Sequence, residues 1–210
     1  MAELASNTKS TCSWPSNNPL MIEYHDKEWG TPVHDDRKHF EFFVLDLFQA
    51  GLSWQIVLKK REGFREALDN FDFEKIALYN EQKIQELIMN EKIIRNQLKI
   101  RATITNAQKF LEIREEFGSF DDYIWQFVNH KPIHNQYTEL SQLPASTRES
   151  DAMSKDLKKR GFKFVGTTIC YAYMQAAGMM NDHMTYCFRY KEWLCFRKLW
   201  NTQITISIFN

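Results

Sequence analysis

The 210-residue sequence has little of what interrupts or staples a chain. Seven Gly and five Pro exclude a collagen-like or low-complexity protein. Four Cys (Cys12, Cys170, Cys187, Cys195) are too few for a disulfide-built scaffold and more in keeping with metal ligands or buried thiols. Neither sign of charge is in excess: Lys+Arg and Asp+Glu both total 27. That excludes a protein held to polyanions by bulk charge, though not one with a local basic face. No run approaches the roughly 20 apolar residues of a membrane span. The opening MAELASNTKS has no apolar leader core, so the expected location is cytoplasmic, without membrane contact. Alternating strand patterns are missing except in Ile204–Phe209.

What is present is helical periodicity and aromatic bulk. In Asp36–Gln49, Phe40, Phe43, Val44, Leu47 and Phe48 repeat at helical spacing, with Asp35 or Asp36 placed to cap the start. Gly51 breaks this helix and Trp54–Leu68 reads as the next. Glu81–Met89, Arg95–Phe117, Asp121–Asn129, Ser150–Arg160 and Thr167–Ala177 follow, three of them stopped by Gly118, Gly161 and Gly178. The expectation is an all-α fold of about eight short helices, arranged as two helical lobes around a cleft. Six Trp and sixteen Phe supply either a large core or a stacking pocket.

Three constellations could carry chemistry. Cys12 and His25 near the start, and His183 and Cys187 near the end, form a Cys2His2 donor set. The His-x3-Cys pair suits one face of a helical turn. Four protein ligands would close a tetrahedral zinc site and make it structural. The pairs lie far apart in sequence, and spacing alone favours the plainer reading of unconnected buried Cys and surface His. The remaining His34, His39, His130 and His134 follow no ligand spacing. Secondly, Asp46 is a carboxylate on an otherwise apolar helix, eight residues before Trp54, with Trp14, Tyr24 and Trp29 in neighbouring breaks. Aromatic faces and one carboxylate would receive a flat cation, whereas the same residues could equally be core plus a solvated edge charge. Thirdly, Lys155, Lys158, Lys159, Arg160 and Lys163, and separately Arg95, Lys99 and Arg101, are basic clusters that suit nucleic acid or helix ends.

Five ordered strings resolve these alternatives: Tyr24–Gly30 (YHDKEWG), Gln49–Trp54 (QAGLSW), Val57–Glu62 (VLKKRE), Phe127–Asn129 (FVN) and Ser154–Gly166 (SKDLKKRGFKFVG). Through them the chain resembles the 3-methyladenine DNA glycosylase I family, over Cys12 to about Cys187. The resemblance implies an all-α helix-hairpin-helix glycosylase and one structural Zn2+ held by Cys12, His25, His183 and Cys187. Tyr24 and Trp54 are implied as the aromatics that sandwich a flipped base. Trp14 and Trp29 become pocket aromatics and Asp46 the base-contacting carboxylate, where the family commonly has Glu. The hairpin, Asn90–Lys99 within a helix-hairpin-helix of about 82–105, is implied to hold the DNA backbone through Ile93, Ile94, Arg95 and Lys99. Lys163 adds a further contact, and Leu52 is the expected gap-filler beside the flipped base. Leu47 and Lys92 stand where the family often has a small residue.

The domain organisation expected is a tail over 1–11, one glycosylase domain over 12–190, and an extension over 191–210 without assigned role. The implied activity is monofunctional hydrolysis of 3-methyladenine from double-stranded alkylated DNA, by a monomer that needs no protein partner. The Asp46, Leu47 and Lys92 differences define an alternative: a zinc-stapled module that binds lesions and releases no base.

Overall fold

A computed structural model describes residues 9–193. Among them lie α1 (Pro19–Lys27), α2 (Asp36–Gln49), α3 (Trp54–Ala67), α4 (Phe73–Ile76), α5 (Glu81–Met89), α6 (Gln97–Phe117), α7 (Phe120–Trp125), α8 (Arg148–Lys159) and α9 (Thr167–Ala176), and residues 188–193 are helical as well. The all-α expectation holds. Strand structure was expected only at Ile204–Phe209, which lies outside the described residues. Among the described residues strand structure is a two-residue parallel pair, β1 (Ile133–His134) with β2 (Met180–Asn181).

α2 organises the fold. Every residue from His39 to Phe48 is buried, and a helix apolar on nearly all sides belongs at the centre of a core rather than on its surface. α3 packs against it from one side and α9 from the other, α6 and α7 complete its cover, and α8 lies on α9. One continuous core runs through these helices, with a small second cluster at the chain ends around Cys12, Met184, Cys187 and Tyr190.

Helix ends follow local chemistry. Asp35 caps α2, its carboxylate accepting from the Lys38 N–H at 2.8 Å. α6 starts at Gln97, two residues later than the pattern suggests, because Asn96 stays extended and its side chain accepts from the Lys99 N–H. α8 starts two residues earlier than expected, at Arg148, because Thr147 and Ser150 form a reciprocal capping box. α7 stops at Trp125, and a tight turn over Gln126–Val128 replaces the rest of the expected Asp121–Asn129 helix. α1 was not anticipated: Asn18 caps it and Pro19 opens it, but only Tyr24 and His25 are buried, too few to print a period.

The 30–33 segment is bound to the end of α9. Gly30 N–H donates to Gln175 O at 3.1 Å and Val33 N–H to Ala177 O at 3.1 Å, satisfying carbonyls that a helix terminus leaves open. Gly178 has φ +69°, and a Cβ there would overlap the backbone of Thr31 and Pro32. Only glycine permits that approach.

Candidate functional site: an aromatic cleft beside a Cys/His cluster

A cleft of about 220 Å³ opens between α1, α2, the start of α3 and α9. Trp14, Tyr24 and Trp29 line it from the N-terminal segment, Asp46 and Gln49 from α2, Trp54 from α3, Leu140 and Leu143 from a surface turn, and Ala172, Gln175 and Ala176 from one face of α9. The aromatic wall is continuous. Trp14 meets Trp29 edge-on at 5.1 Å between centroids and Tyr24 at 6.4 Å, and Tyr24 meets Trp54 at 5.2 Å with planes tilted by 52°. Tyr24 and Trp54 therefore touch, and a flat ligand entering between their faces must part them. Gly51 gives that turn its freedom, at φ +79° with open space around it.

Asp46 lies at the back of the cleft, 3% exposed. Burial pushes its carboxyl well above the ordinary carboxylate range, with no basic side chain beside it to oppose the effect. Asp46 Oδ2, Trp14 Nε1 and Trp54 Nε1 are all buried without a hydrogen-bond partner among the described residues. Buried polar atoms are seldom left so. Three of them on residues lining one cleft describe a receptor for a ligand that brings both donors and acceptors. The reading of Asp46 as a solvated edge charge is thereby excluded.

Behind this wall stands a buried ion network. Arg61 donates through Nη1 and Nη2 to both carboxylate oxygens of Glu28 at 2.7 Å, and through Nε to Glu41 at 2.8 Å. Burial opposes the charge on Glu41, but its bonds to Arg61 prevail and bring its carboxyl down to about 2. The network ties α1, which carries Tyr24, to α2, which carries Asp46.

The four Cys/His residues converge beside the cleft. Their donor atoms all lie within 4.8 Å of one another and all four side chains are buried. Cys187 Sγ is 3.6 Å from His25 Nε2 and 3.8 Å from His183 Nδ1, and Cys12 Sγ is 3.8 Å from His183 Nδ1. The outward ring nitrogens are held: His25 Nδ1 by Asp26 at 2.7 Å, His183 Nε2 by the Trp29 carbonyl at 3.1 Å. Such outer bonds orient imidazoles for a metal. The group can hold a metal ion. His183 and Cys187 reach it from a turn closed by the Cys187 N–H to Met184 O bond at 2.7 Å, not from the helical turn their spacing suggested. A Cβ on Gly30 would come within 2.7 Å of His183 Nε2, so the cluster and the aromatic wall are built against each other.

The sequence model of the methyladenine glycosylases matches residues 14–190. The chain belongs to this family. It is 51% identical to DNA-3-methyladenine glycosylase 1 of Escherichia coli K12 over 179 residues, 85% of this chain and 96% of the relative. A crystal structure of 3-methyladenine DNA glycosylase I is similar at TM-score 0.83 and 50% identity, covering 85% of this chain and 98% of that one. The Staphylococcus aureus enzyme, solved to explain its 3-methyladenine recognition, is similar at TM-score 0.82 and 35% identity, over 85% and 95% of the two chains.

In this methyladenine glycosylase the hairpin between α5 and α6 packs on α3. A Cβ on Gly63 would collide with the backbone of Lys92, and Lys60 Nζ donates to Glu91 O at 2.5 Å. The side chain at Lys92 is accommodated: its φ is not positive, its N–H is bound by Asn90 Oδ1 at 2.9 Å, and its ammonium pairs with Glu66. Leu47 is core. Among the expected DNA contacts, Arg95 and Lys163 are exposed, Leu52 is 38% exposed and Ile94 half-buried. Two expectations are corrected. Ile93 is buried in the core, and its N–H is donated to Asn90 O at 3.3 Å. Lys99 is 5% exposed, and its ammonium donates to the carbonyls of Phe48 at 2.9 Å and Ala50 at 2.6 Å. It caps the end of α2 instead of reaching outward, and burial lowers its basicity. Nothing in its local sequence marks that role, because the carbonyls come from about fifty residues away.

Of the unassigned histidines, His130 is exposed and the two nearest α2 are satisfied. His39 lies in the core between Asp121 and Tyr173, and His34 meets Asp121 at 3.1 Å.

Proposed function

We propose that this protein removes 3-methyladenine from alkylated double-stranded DNA by hydrolysing the N-glycosidic bond, as a monofunctional glycosylase. The observation that carries the proposal is the cleft: a buried, unpartnered Asp46 facing an aromatic wall, in a volume below the roughly 300–1,000 Å³ of drug-sized sites and therefore suited to one flat base. Methylation at N3 places positive charge on adenine, so the base leaves without first being protonated. A general acid is then unnecessary, in keeping with a cleft that offers one carboxylate and no acid–base pair. The target nucleotide must leave the stack, at a cost of a few kcal/mol that is smaller for a damaged base. Tyr24 and Trp54 part to receive the cationic ring between them. The ring's arrival reverses the cause of Asp46's raised pKa: a cation now lies against the carboxyl, which gives up its proton to water, and the carboxylate accepts from the exocyclic amine. Water then attacks the sugar carbon as oxocarbenium character develops. No lysine lines the cleft among the described residues, which suits hydrolysis without strand cleavage.

The DNA backbone is assigned to the hairpin around Arg95 and to Lys163. The Lys163 loop is clamped to α6 by Asn106, whose amide bonds both the N–H at 2.7 Å and the carbonyl at 3.0 Å of Lys163. Asn106 stands nine residues beyond Gln97, roughly 14 Å along α6.

The Cys/His cluster is assigned to one structural zinc. Bonds of about 2.3 Å to sulfur and 2.0–2.1 Å to nitrogen in a tetrahedron give S···N edges of about 3.6 Å; three S···N separations are 3.6–3.8 Å, and all four donor atoms lie within 4.8 Å of one another. With four protein ligands the ion would supply stability rather than chemistry, fixing Trp14, which lies between the ligands Cys12 and His25, and Trp29, four residues past His25.

The deciding experiment incubates the protein with methylated duplex DNA and measures free 3-methyladenine by chromatography. Release of the base supports the proposal. Tight binding to the methylated duplex with no base released overturns it in favour of a lesion-binding module.

A further inference from the structure

Gln175 sits on the cleft face of α9, between Ala172 and Ala176. Its amide is not free to turn. Nε2 donates to Asp182 Oδ2 at 2.7 Å. The same carboxylate accepts from Tyr171 OH at 2.5 Å and, through Oδ1, from Asn135 Nδ2 at 2.7 Å. Asp182 is 1% exposed and three donors converge on it, so its carboxylate acts only as an acceptor and the Gln175 NH2 must face it. What the amide has left to offer the cleft is Oε1, a second acceptor in addition to Asp46.

We propose that Gln175 is a specificity-determining residue that selects purines bearing an amine at C6 over those bearing a carbonyl there. Adenine presents N6–H2, a donor, where guanine presents O6, an acceptor. Beside the two Trp Nε1 donors, the cleft offers two acceptors, and the one locked by a buried network satisfies the first. Against the second it sets oxygen beside oxygen and leaves a buried acceptor without a partner, the arrangement by which polar sites discriminate most strongly. Charge on the base does not make this distinction, since 3-methylguanine is cationic as well. The inference rests on the glycosylase reading of the cleft.

The test compares the parent with Gln175→Met, which keeps length and removes both amide groups. DNA carrying 3-methyladenine and 3-methylguanine is offered, and release of each base is timed. In parallel the two free bases are titrated against both proteins, which reads recognition without bond cleavage. The expected result is a fall of about tenfold in 3-methyladenine release and binding, with 3-methylguanine unchanged or raised. That is the size of one neutral hydrogen bond. Asp182→Asn, which lets the Gln175 amide turn, should reproduce the narrowed ratio in protein that keeps the parent's metal content. An unchanged ratio, or equal falls for both bases, overturns the inference. If the parent binds the bases but releases neither, the catalytic reading fails while the binding ratio still decides the role of Gln175.

Discussion

Replacing Lys99 by Met separates two physical roles for one lysine. The Lys99 ammonium donates to Phe48 O at 2.9 Å and Ala50 O at 2.6 Å, carbonyls at the negative end of the α2 dipole. A hydrogen bond to a charged group contributes roughly 1.5–3 kcal/mol, so two would reach up to about 6. The ammonium's own desolvation offsets part of this, as its lowered basicity records. Methionine recovers the packing of the stem but leaves both carbonyls without that donor. A net loss of about 2–3 kcal/mol is expected. At roughly 2–4 °C per kcal/mol for a chain of this size, the melting temperature should fall by about 5–10 °C. Affinity for undamaged duplex should keep its salt dependence, because no phosphate contact is removed. If Lys99 instead held a phosphate, the variant would melt like the parent and its log K against log salt slope would flatten by about 0.9. That outcome in calorimetry and fluorescence titration would refute the capping role.

Further outcomes are expected at Asp46, the Cys/His cluster, Lys163 and Arg61. Asp46→Asn should lower 3-methyladenine excision by about one to two powers of ten, the loss of a charge-assisted bond of roughly 1.5–3 kcal/mol, with little change in binding to undamaged duplex. Because burial raises the Asp46 pKa, the free protein should lose stability, and affinity for the cationic base should rise, as pH climbs through that raised value. Both trends should vanish in Asp46→Asn, and melting curves and base titrations across pH check this. Elemental analysis should find one zinc per chain, and Cys187→Ser should lower both zinc content and melting temperature. Lys163→Ala should weaken binding to any duplex and flatten the salt slope, whereas Arg61→Met, which leaves Glu28 and Glu41 without their main partner, should cost about 3–5 kcal/mol in denaturant unfolding.

The sequence displayed those features that repeat locally. α2 and α5 were legible to the residue because each has a period and a capping side chain. The ligand set and aromatic wall became legible through ordered strings rather than spacing, since Cys12 and Cys187 are 175 positions apart and no local rule joins them. What stayed hidden depends on distant backbone. Lys99 reads as surface charge until the end of α2 is seen beneath it. Gln175 is an unremarkable helical amide until Asp182 fixes which of its ends turns inward. Ile93 reads as a hairpin contact until its side chain is found in the core and its N–H bonded within the turn.

The placement of the four Cys/His residues bears on how the protein is made. Two lie within the first 25 residues and the other two at 183 and 187, so the cluster closes only when nearly the whole described chain is present. The helices from α2 to α8 can pack as they emerge from the ribosome, N-terminal elements first. Trp29 packs on His183 and its carbonyl meets His183 Nε2, so the wall carrying Trp14 and Trp29 is not fixed until that end of the chain arrives. A nascent or truncated chain would therefore fold a core yet recognise no lesion, and partly built copies would not compete with finished enzyme for damaged sites.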